Sequence, residues 1–316
     1  MLQSVTLRGL LASLAAAAFA CSTAQAQLFR AYLASAGNDA NPCTLQQPCR
    51  LLPAALNAVA SGGEIWMLDS ANYNTSTVTI SKSVSVLAVP GVVGSVVATG
   101  GPAINIVASD LVVALRNIVI GPVVTLPPGT VGVRMESSGT TLIIENSLLA
   151  NLAEDGVFVQ GTGDLKIART TLRNNGGYAV SLNNGARAAI SGTQMLSNVA
   201  GGVLANNSLA SSTTTASLYA CVISGGTDGV LAYNDISGST ARISITGSTI
   251  EKMSYGLSSW TSDAGTAEVN IGSSLVANNE HGWDQDGVGS TVKSLGNNQM
   301  RGNGTPFGVL TPLPAQ

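Results

Sequence analysis

The stretch Gly156-Val-Phe-Val-Gln160 is one of seven copies of a short apolar pattern that decides the fold of this chain. The copies are GVRME from Gly132, GVFVQ from Gly156, AVSLN from Ala179, GVLAN from Gly202, GVLAY from Gly229, GLSSW from Gly256 and GWDQD from Gly282. Successive copies begin 24, 23, 23, 27, 27 and 26 residues apart. A repeat of this length is typical of stacked supersecondary units, and it is much shorter than a propeller blade of about 40 residues.

A second strand with alternating apolar residues follows each copy, and turns rich in asparagine and glycine separate the two. Alternation places one set of side chains inside the molecule: Leu142 and Ile144, Leu165 and Ile167, Ile243 and Ile245, Val269 and Ile271. Cys221 stands at the same repeat position as Thr193, Ser248 and Ser274, so we predict a small buried residue there. These patterns favour a parallel β-helix over a sandwich, whose antiparallel strands would need hairpin turns.

The first 26 residues, 1–26, have the pattern of a cleavable signal peptide. Arg8 precedes the apolar run Leu10–Ala20, and the small-residue site Ala24–Ala26 follows it. We predict cleavage after Ala26 and a secreted or periplasmic location. Lipid attachment at Cys21 is the alternative, which Phe19 disfavours. The apolar run is too short to span a bilayer, so no transmembrane segment is predicted.

Residues 27–63 differ from the repeats, and we predict that they form an N-terminal cap. Cys43 and Cys49 lie six residues apart in a chain with an export signal, which predicts a disulfide that braces this segment. A short amphipathic helix is predicted from the spacing of Leu52, Ala55, Leu56 and Val59. A solenoid needs an atypical unit to cover its open apolar end. The parallel β-helix is then predicted over 64–313.

Several segments resemble those of a secreted bacterial branch of the right-handed parallel β-helix proteins, which have the pectin-lyase-like fold. The matching segments are Tyr32–Asp39, Asn41–Cys43, Pro48–Arg50, Gly62–Ile65, Ile80–Ser85, Gly296–Asn298 and Arg301–Gly304. The resemblance implies an all-β fold, a single-stranded right-handed parallel β-helix solenoid with a short N-terminal capping helix. It also implies that the Gly-Val-x-Val face is the one that meets sugar, although proteins of this fold include lyases, hydrolases, epimerases and adhesins.

Alternation along the Gly-Val-x-Val strands predicts two outward rows of side chains. The central row is Arg134, Phe158, Ser181, Leu204, Leu231, Ser258 and Asp284. The trailing row is Glu136, Gln160, Asn183, Asn206, Tyr233, Trp260 and Asp286. Amides suit sugar hydroxyls and aromatic rings suit the C–H faces of sugars, so we predict that the ligand-binding residues are Gln160, Asn183, Asn206, Tyr233 and Trp260. A solvated sheet face would carry similar residues and is the alternative.

Asp284 and Asp286 are the candidate catalytic residues, together with His281. Residues i and i+2 of a strand share one face about 7 Å apart, which suits the acid and base of an inverting glycosidase. The same carboxylates, with backbone oxygens, are also suited to Ca²⁺, and no other cofactor or metal is predicted. The structural alternative is an acidic final coil that blunts the end of the stack.

Composition and missing motifs limit the function. Only 10% of residues are charged and the formal net charge is −3, so no basic surface for nucleic acid is predicted. The catalytic motifs of pectate lyases and polygalacturonases are not evident. We therefore expect an exported, non-catalytic protein that contacts polysaccharide or has a structural role at the surface. The alternatives are a polysaccharide lyase or glycoside hydrolase acting on acidic glycans, and an adhesin-like rod that binds protein partners.

Overall fold

The computed structural model describes residues 27–123, 129–262 and 265–313, and in these ranges parallel strands stack coil upon coil. The predicted signal peptide, 1–26, lies outside the described residues. The strands form two parallel sheets, of twelve and seventeen strands, and the larger one has two parts that we describe below as the second and third sheets. This is the architecture expected for the single-stranded right-handed parallel β-helix, and the predicted fold class is confirmed. Within the described ranges, no helix is both long enough and apolar enough to cross a membrane.

The first sheet contains twelve of the described strands. They are Leu28–Leu33, Val59–Met67, Val84–Ala88, Val112–Arg116, Thr141–Glu145, Asp164–Ala168, Arg187–Ser191, Thr213–Tyr219, Thr240–Thr246, Thr266–Gly272, Ser290–Ser294 and Leu310–Pro312. The inward residues predicted for this sheet are confirmed, because Leu142, Ile144, Ile243 and Ile245 are each at most 1% exposed.

The second and third sheets share two long strands, Val222–Asn234 and Thr249–Trp260, whose first halves belong to the second sheet and whose second halves belong to the third. The other strands of the second sheet are Ala71–Asn72, Gly94–Val97, Ile118–Gly121, Leu148–Ala150, Thr171–Arg173, Gln194–Leu196, Leu275–Ala277 and Gln299–Arg301. The other strands of the third sheet are Val78–Ile80, Ile104–Ile106, Val133–Met135, Val157–Gln160, Tyr178–Asn183, Gly201–Asn207 and His281–Asp286. The third sheet therefore consists of the Gly-Val-x-Val strands.

Tight corners join the first sheet to the second, and most depend on one residue with positive φ. Asn117, Asn146 and Arg169 hold φ values of 56°, 50° and 49° at this corner. Asparagine tolerates the left-handed region better than other residues with a side chain. From Ser147 to Ser274, the next residue of each corner is buried and small, and these residues form a ladder. Cys221 N donates to Ser248 Oγ at 3.1 Å, and Ser248 N donates to Ser274 Oγ at 3.1 Å.

Cys221 is 1% exposed and has no disulfide partner, so the prediction of a small buried residue is confirmed. A second internal ladder, of asparagines, joins the second sheet to the third. Asn175 Nδ2 donates to Asn198 Oδ1 at 2.9 Å, and Asn279 Nδ2 donates to Asn303 Oδ1 at 2.9 Å. Such contacts satisfy buried polar groups from one coil to the next.

The N-terminal segment contains the helix Leu52–Ala58 and the Cys43–Cys49 disulfide. Leu52, Ala55 and Leu56 are buried in the core, as the periodicity predicts. Val59 is also buried, but it begins a strand rather than ending the helix. The strand Leu28–Leu33 pairs in parallel with Val59–Met67, so the segment predicted as a cap already supplies a strand to the first sheet.

Candidate functional site

The third sheet brings the two predicted outward rows into register. Arg134, Phe158, Ser181 and Leu204 are aligned on successive coils, and the central row continues to Asp284. In the trailing row, successive strand pairings join Gln160, Asn183, Asn206, Tyr233, Trp260 and Asp286. Exposure along the central row is uneven, because Ser181, Leu231 and Ser258 are buried.

A third row lies along the same sheet, at the residue before each of the last six copies of the Gly-Val pattern. We call it the leading row, and it consists of Asp155, Tyr178, Gly201, Asp228, Tyr255 and His281. Strand pairing aligns Tyr178 with Gly201, Gly201 with Asp228, Asp228 with Tyr255, and Tyr255 with His281. Ionisable and aromatic groups therefore collect along one edge of the strands.

Asp228 is the most buried carboxyl of the leading row, at 3% exposure. Ser258 Oγ donates to its Oδ1 at 2.6 Å, and the Tyr178 hydroxyl donates to its Oδ2 at 3.2 Å. The tyrosine reaches across an intervening coil, where the aligned residue is Gly201. A Cβ at Gly201 would stand 1.8 Å from the Asp228 carbonyl oxygen, so the close approach of the two coils requires glycine there.

Burial raises the pKa of Asp228 to about 6. The hydrogen bonds from Ser258 and Tyr178 favour the charged form and oppose this shift, whereas repulsion by Asp284 adds to it. The result is a carboxyl that exchanges its proton near neutral pH, which is a common property of functional sites.

Asp155 repeats the arrangement of Asp228 on an earlier coil. Its Oδ1 accepts a hydrogen bond from the Tyr178 backbone N–H at 2.7 Å. Burial raises its pKa, and a side-chain hydrogen bond with Ser181 opposes the shift. Tyr178 thus lies between two aspartates. Burial and then Asp228 raise its pKa, which keeps the phenol neutral and able to donate.

The C-terminal coils form a cavity of about 490 Å³ lined by Trp260, Asp284, Gln285, Asp286 and Phe307. Trp260 Nε1 donates to Asp284 Oδ2 at 2.8 Å, which fixes the indole ring beside the carboxylate. Burial raises the pKa of Asp284; the bond from Trp260 opposes the shift, the like charge of Asp286 adds to it, and a smaller effect of the His281 charge opposes it. The structure therefore places both predicted catalytic aspartates and one predicted ligand-binding residue in a single cavity.

His281 lies outside the lining of this cavity and belongs to a stack of rings. Its ring centroid is 5.1 Å from that of Tyr255 and 4.6 Å from that of Phe307. Its Nδ1 shares a hydrogen bond of 2.5 Å with the Thr305 carbonyl. The histidine thereby fastens the segment that carries Phe307, one wall of the cavity, rather than contacting the two aspartates.

The remaining predicted ligand-binding residues lie toward the middle of the rod. Asn206 Nδ2 donates to Asn183 Oδ1 at 2.9 Å, Tyr233 donates to Asp235, and Gln160 is exposed. A depression of about 390 Å³ lies on the N-terminal side, lined in part by Phe158, Tyr178, Ser181, Asn183 and Leu204. In the described parts of the chain, no three His, Cys, Asp or Glu side chains are grouped closely enough to hold a metal ion.

Sequence reasoning missed Asp155, Tyr178 and Asp228. The missed signal was the residue immediately before each Gly-Val copy, which is ionisable or aromatic in five of the six coils from Asp155 to His281. Alternation counted outward from the glycine identifies the central and trailing rows alone. The leading row precedes the bend at which the regular alternation of the strand begins.

Comparison with known proteins supports the same architecture. Residues 131–303, more than half of the chain, match the family described as right-handed β-helix region. A pectate lyase, Pel9A, superposes with a TM-score of 0.51 at 13% identity over 92% of this chain and 78% of its own.

A lacto-N-biosidase from Eubacterium ramulus gives a TM-score of 0.47 at 10% identity over 90% of this chain and 68% of its own. No curated protein gives a significant match. At 13% identity the pectate lyase structure shows the fold alone, whereas the family match spans the repeats that build the third sheet. The chain belongs to the right-handed β-helix family.

Proposed function

We propose that this protein binds a polysaccharide chain along the outward surface of the third sheet, with its main contact in the cavity at Trp260. The observation that carries the proposal is the Trp260–Asp284 hydrogen bond, which holds an aromatic face next to two carboxylates in a cavity of about 490 Å³. Pyranose rings present C–H groups to an aromatic face and hydroxyls to polar groups at its edge. A ring held in place before binding loses little side-chain entropy on contact.

The length of the trailing row suits a polymer rather than a single sugar. From Gln160 to Asp286 the row crosses five coil steps, which corresponds to about 24 Å at the usual strand spacing. Asn183 and Asn206 provide amides between the two ends. The pectate lyase of similar fold makes a sugar polymer a sensible first ligand. An exported location agrees with the Cys43–Cys49 disulfide, since such bonds persist outside the cytosol.

Trp260→Ala tests this proposal by affinity electrophoresis of the full chain in gels that contain soluble glycans. We expect the wild type to be retarded by at least one glycan, and the variant to lose most of that retardation. Tyr219→Ala is the matched control, because Tyr219 is an aromatic residue 63% exposed on the first sheet. Wild-type mobility unchanged across a broad panel, or equal loss in both variants, would contradict the proposal.

A second candidate function, hydrolysis of a glycosidic bond, is favoured by the raised pKa of Asp228 and Asp284. In this scheme Asp284 and Asp286 border the bound sugar and act as acid and base, about 7 Å apart as strand neighbours i and i+2. Asp228 lies behind Ser258 and acts as a positioning residue, since its charge changes the proton affinity of Asp284.

Release of reducing ends from neutral and charged glycans tests hydrolysis. Asp284→Asn and Asp286→Asn should each abolish release, because either the acid or the base is lost. Asp228→Asn should leave activity but move the acidic limb of the pH–rate profile, which a purely structural role would not do. Activity that persists in both Asp284→Asn and Asp286→Asn would exclude this mechanism.

A further inference from the structure

We infer that the polysaccharide bound at the Trp260 cavity carries positive charge and is a chain of amino sugars with free ammonium groups. The inference rests on the proposed glycan binding and adds the sign of charge that the cavity selects. Three features carry it: the aromatic side chains that line the cavity, the absence of arginine and lysine from its lining, and the contrast with the ion-paired acids of the first sheet.

Acidic side chains on the first sheet are neutralised by arginine or lysine. Arg30 bridges Glu64 at 2.7 Å, and Arg187 bridges Asp164 at 2.8 Å. The other acids of this sheet are also paired. Arg116 forms a salt bridge with Glu145, and both Arg242 and Lys293 form salt bridges with Glu268. On the first sheet, each acid on a described strand is therefore paired with a base on a neighbouring coil.

The C-terminal coils of the third sheet differ. Across the described ranges, Asp228, Asp284 and Asp286 have no arginine or lysine nitrogen within 4.0 Å. Arg134 is the one arginine or lysine on the described third-sheet rows, and Glu136 already bridges it. It lies six coil steps from Asp284 along the central row, about 29 Å, which is well beyond effective range in salt.

His281 is the nearest ionisable base; its charge lowers the pKa of Asp284, but by less than the like charge of Asp286 raises it. Its ring is stacked between Tyr255 and Phe307, and its Nδ1 is engaged with the Thr305 carbonyl. Asp284 receives one hydrogen bond from the neutral Trp260 indole. Asp286 is exposed and lines the cavity, so both carboxylates keep hydrogen-bond acceptor capacity for a ligand.

A positively charged ligand balances the negative charge of Asp284 and Asp286. An ammonium group on a sugar stacked against Trp260 donates charge-assisted hydrogen bonds, which are about twice as strong as neutral ones. A uronate in the same position meets like charge in a partly desolvated cavity. The distribution of charge thus favours amino sugars over the acidic glycans that the resemblance to pectin-processing folds suggested.

Titration calorimetry of the full chain at pH 6 provides the test, with three ligands: a glucosamine hexamer, an N-acetylglucosamine hexamer and a galacturonate hexamer. We expect the glucosamine hexamer to bind at least ten-fold more tightly than the acetylated one at low salt, and the galacturonate hexamer least tightly. Raising salt from 20 to 200 mM should reduce the difference, because exposed charges are screened over about 8 Å at 0.15 M.

Asp286→Asn should weaken binding of the glucosamine hexamer about two- to five-fold, the range of a partly exposed charge pair, and leave the acetylated hexamer unaffected. Asp164→Asn on the first sheet is the matched control and should change neither. Equal affinity for the glucosamine and N-acetylglucosamine hexamers overturns the charge inference while glycan binding stands. Tighter binding of the galacturonate hexamer has the same consequence. No binding of the glucosamine hexamer also overturns it, and the broad glycan panel then decides separately whether glycan binding fails.

Discussion

Asp228 shows how neighbouring coils alter the chemistry of one residue without altering the backbone repeat. It occupies the same repeat position as Asp155, yet the Tyr178 hydroxyl reaches only Asp228. That contact exists because the aligned residue between them is Gly201, which leaves room for a phenol ring. At the residue scale, the hydrogen bonding of Asp228 thus depends on one side chain that spans two coils.

Stability should depend on pH through Asp228. Its carboxyl loses a proton near the ordinary value of 3.8 when unfolded, and near pKa 6 when folded. Between these values the folded state binds more protons, so the free energy of unfolding falls as pH rises. Between about pH 4 and 7 the wild type should lose up to about 3 kcal/mol of unfolding free energy through this carboxyl. Asp228→Asn should remove that loss.

Chemical denaturation at several pH values measures this effect. Ser258→Ala is the informative companion, because its hydroxyl favours the charged carboxyl and its removal should shift the window to higher pH. Identical pH dependence in wild type and Asp228→Asn would show that this carboxyl does not titrate in the window.

Cys221 is predicted to be a packing residue that serine can replace. Its Sγ lies 3.4 Å from the Tyr219 carbonyl, and Ser248 Oγ donates to the Thr246 carbonyl in the same way. Cys221→Ser should change the free energy of unfolding by less than about 1 kcal/mol, whereas Cys221→Leu should cost about 1–3 kcal/mol by overpacking. Burial raises the pKa of the thiol, so native protein should resist thiol-specific reagents until it is denatured.

Which residues share a row could be predicted from sequence, because alternation and a period of 23 to 27 residues fix register. The alignment of Tyr233 with Trp260 and of Ser258 with Asp284 follows from those two rules. Burial of Ser258 and the reach of Tyr178 do not, since they depend on side-chain lengths on other coils. The hydrogen-bond partners of Asp228 could therefore not be predicted by counting residues along one strand.

At the scale of elements, the corners carry the polar ladders that hold coils in register. Asn279 Oδ1 accepts from the Met253 N–H at 3.0 Å, and its Nδ2 donates to the Asn303 side chain and to the Ile250 carbonyl. One side chain thus satisfies backbone groups on its neighbours while remaining 3% exposed. Sequence predicted turns at these asparagines, but which of two adjacent asparagines points inward was not predicted.

Asn279→Ala should destabilise the protein by about 1–3 kcal/mol, because it leaves a buried backbone N–H without an acceptor. Asn183→Ala provides the comparison, since Asn183 is an amide on the outward trailing row and its loss should stay within about 0.5 kcal/mol. Equilibrium unfolding of both variants measures the difference. Comparable losses would argue against a structural role of the internal ladder.

Over the whole molecule, each coil contacts mainly the coils before and after it. The free energy of folding is therefore approximately a sum of terms for single coils and for contacts between neighbouring coils. The N-terminal end combines the helix Leu52–Ala58 with the Cys43–Cys49 disulfide. Closing a loop of this length stabilises the fold by about 2 kcal/mol in the chain-entropy description.

Replacing both cysteines by alanine should therefore loosen this end first. Amide hydrogen exchange should accelerate in Leu28–Leu33 and Leu52–Ala58, while the strand Val157–Gln160 in mid-rod should change little because local openings are independent. Uniform acceleration along the chain would instead indicate that the end nucleates the whole rod.

The bridge from Tyr178 to Asp228 also limits how this chain can evolve. Repetitive genes gain and lose units by unequal recombination, and a solenoid accommodates most such changes as a longer or shorter rod. Here the two residues are separated by two coil steps, about 10 Å. One extra unit would move Asp228 about 5 Å beyond the reach of the Tyr178 hydroxyl. One unit fewer would leave too little space between the two residues for the phenol ring. The copy number between these two positions is therefore fixed by the length of a single side chain.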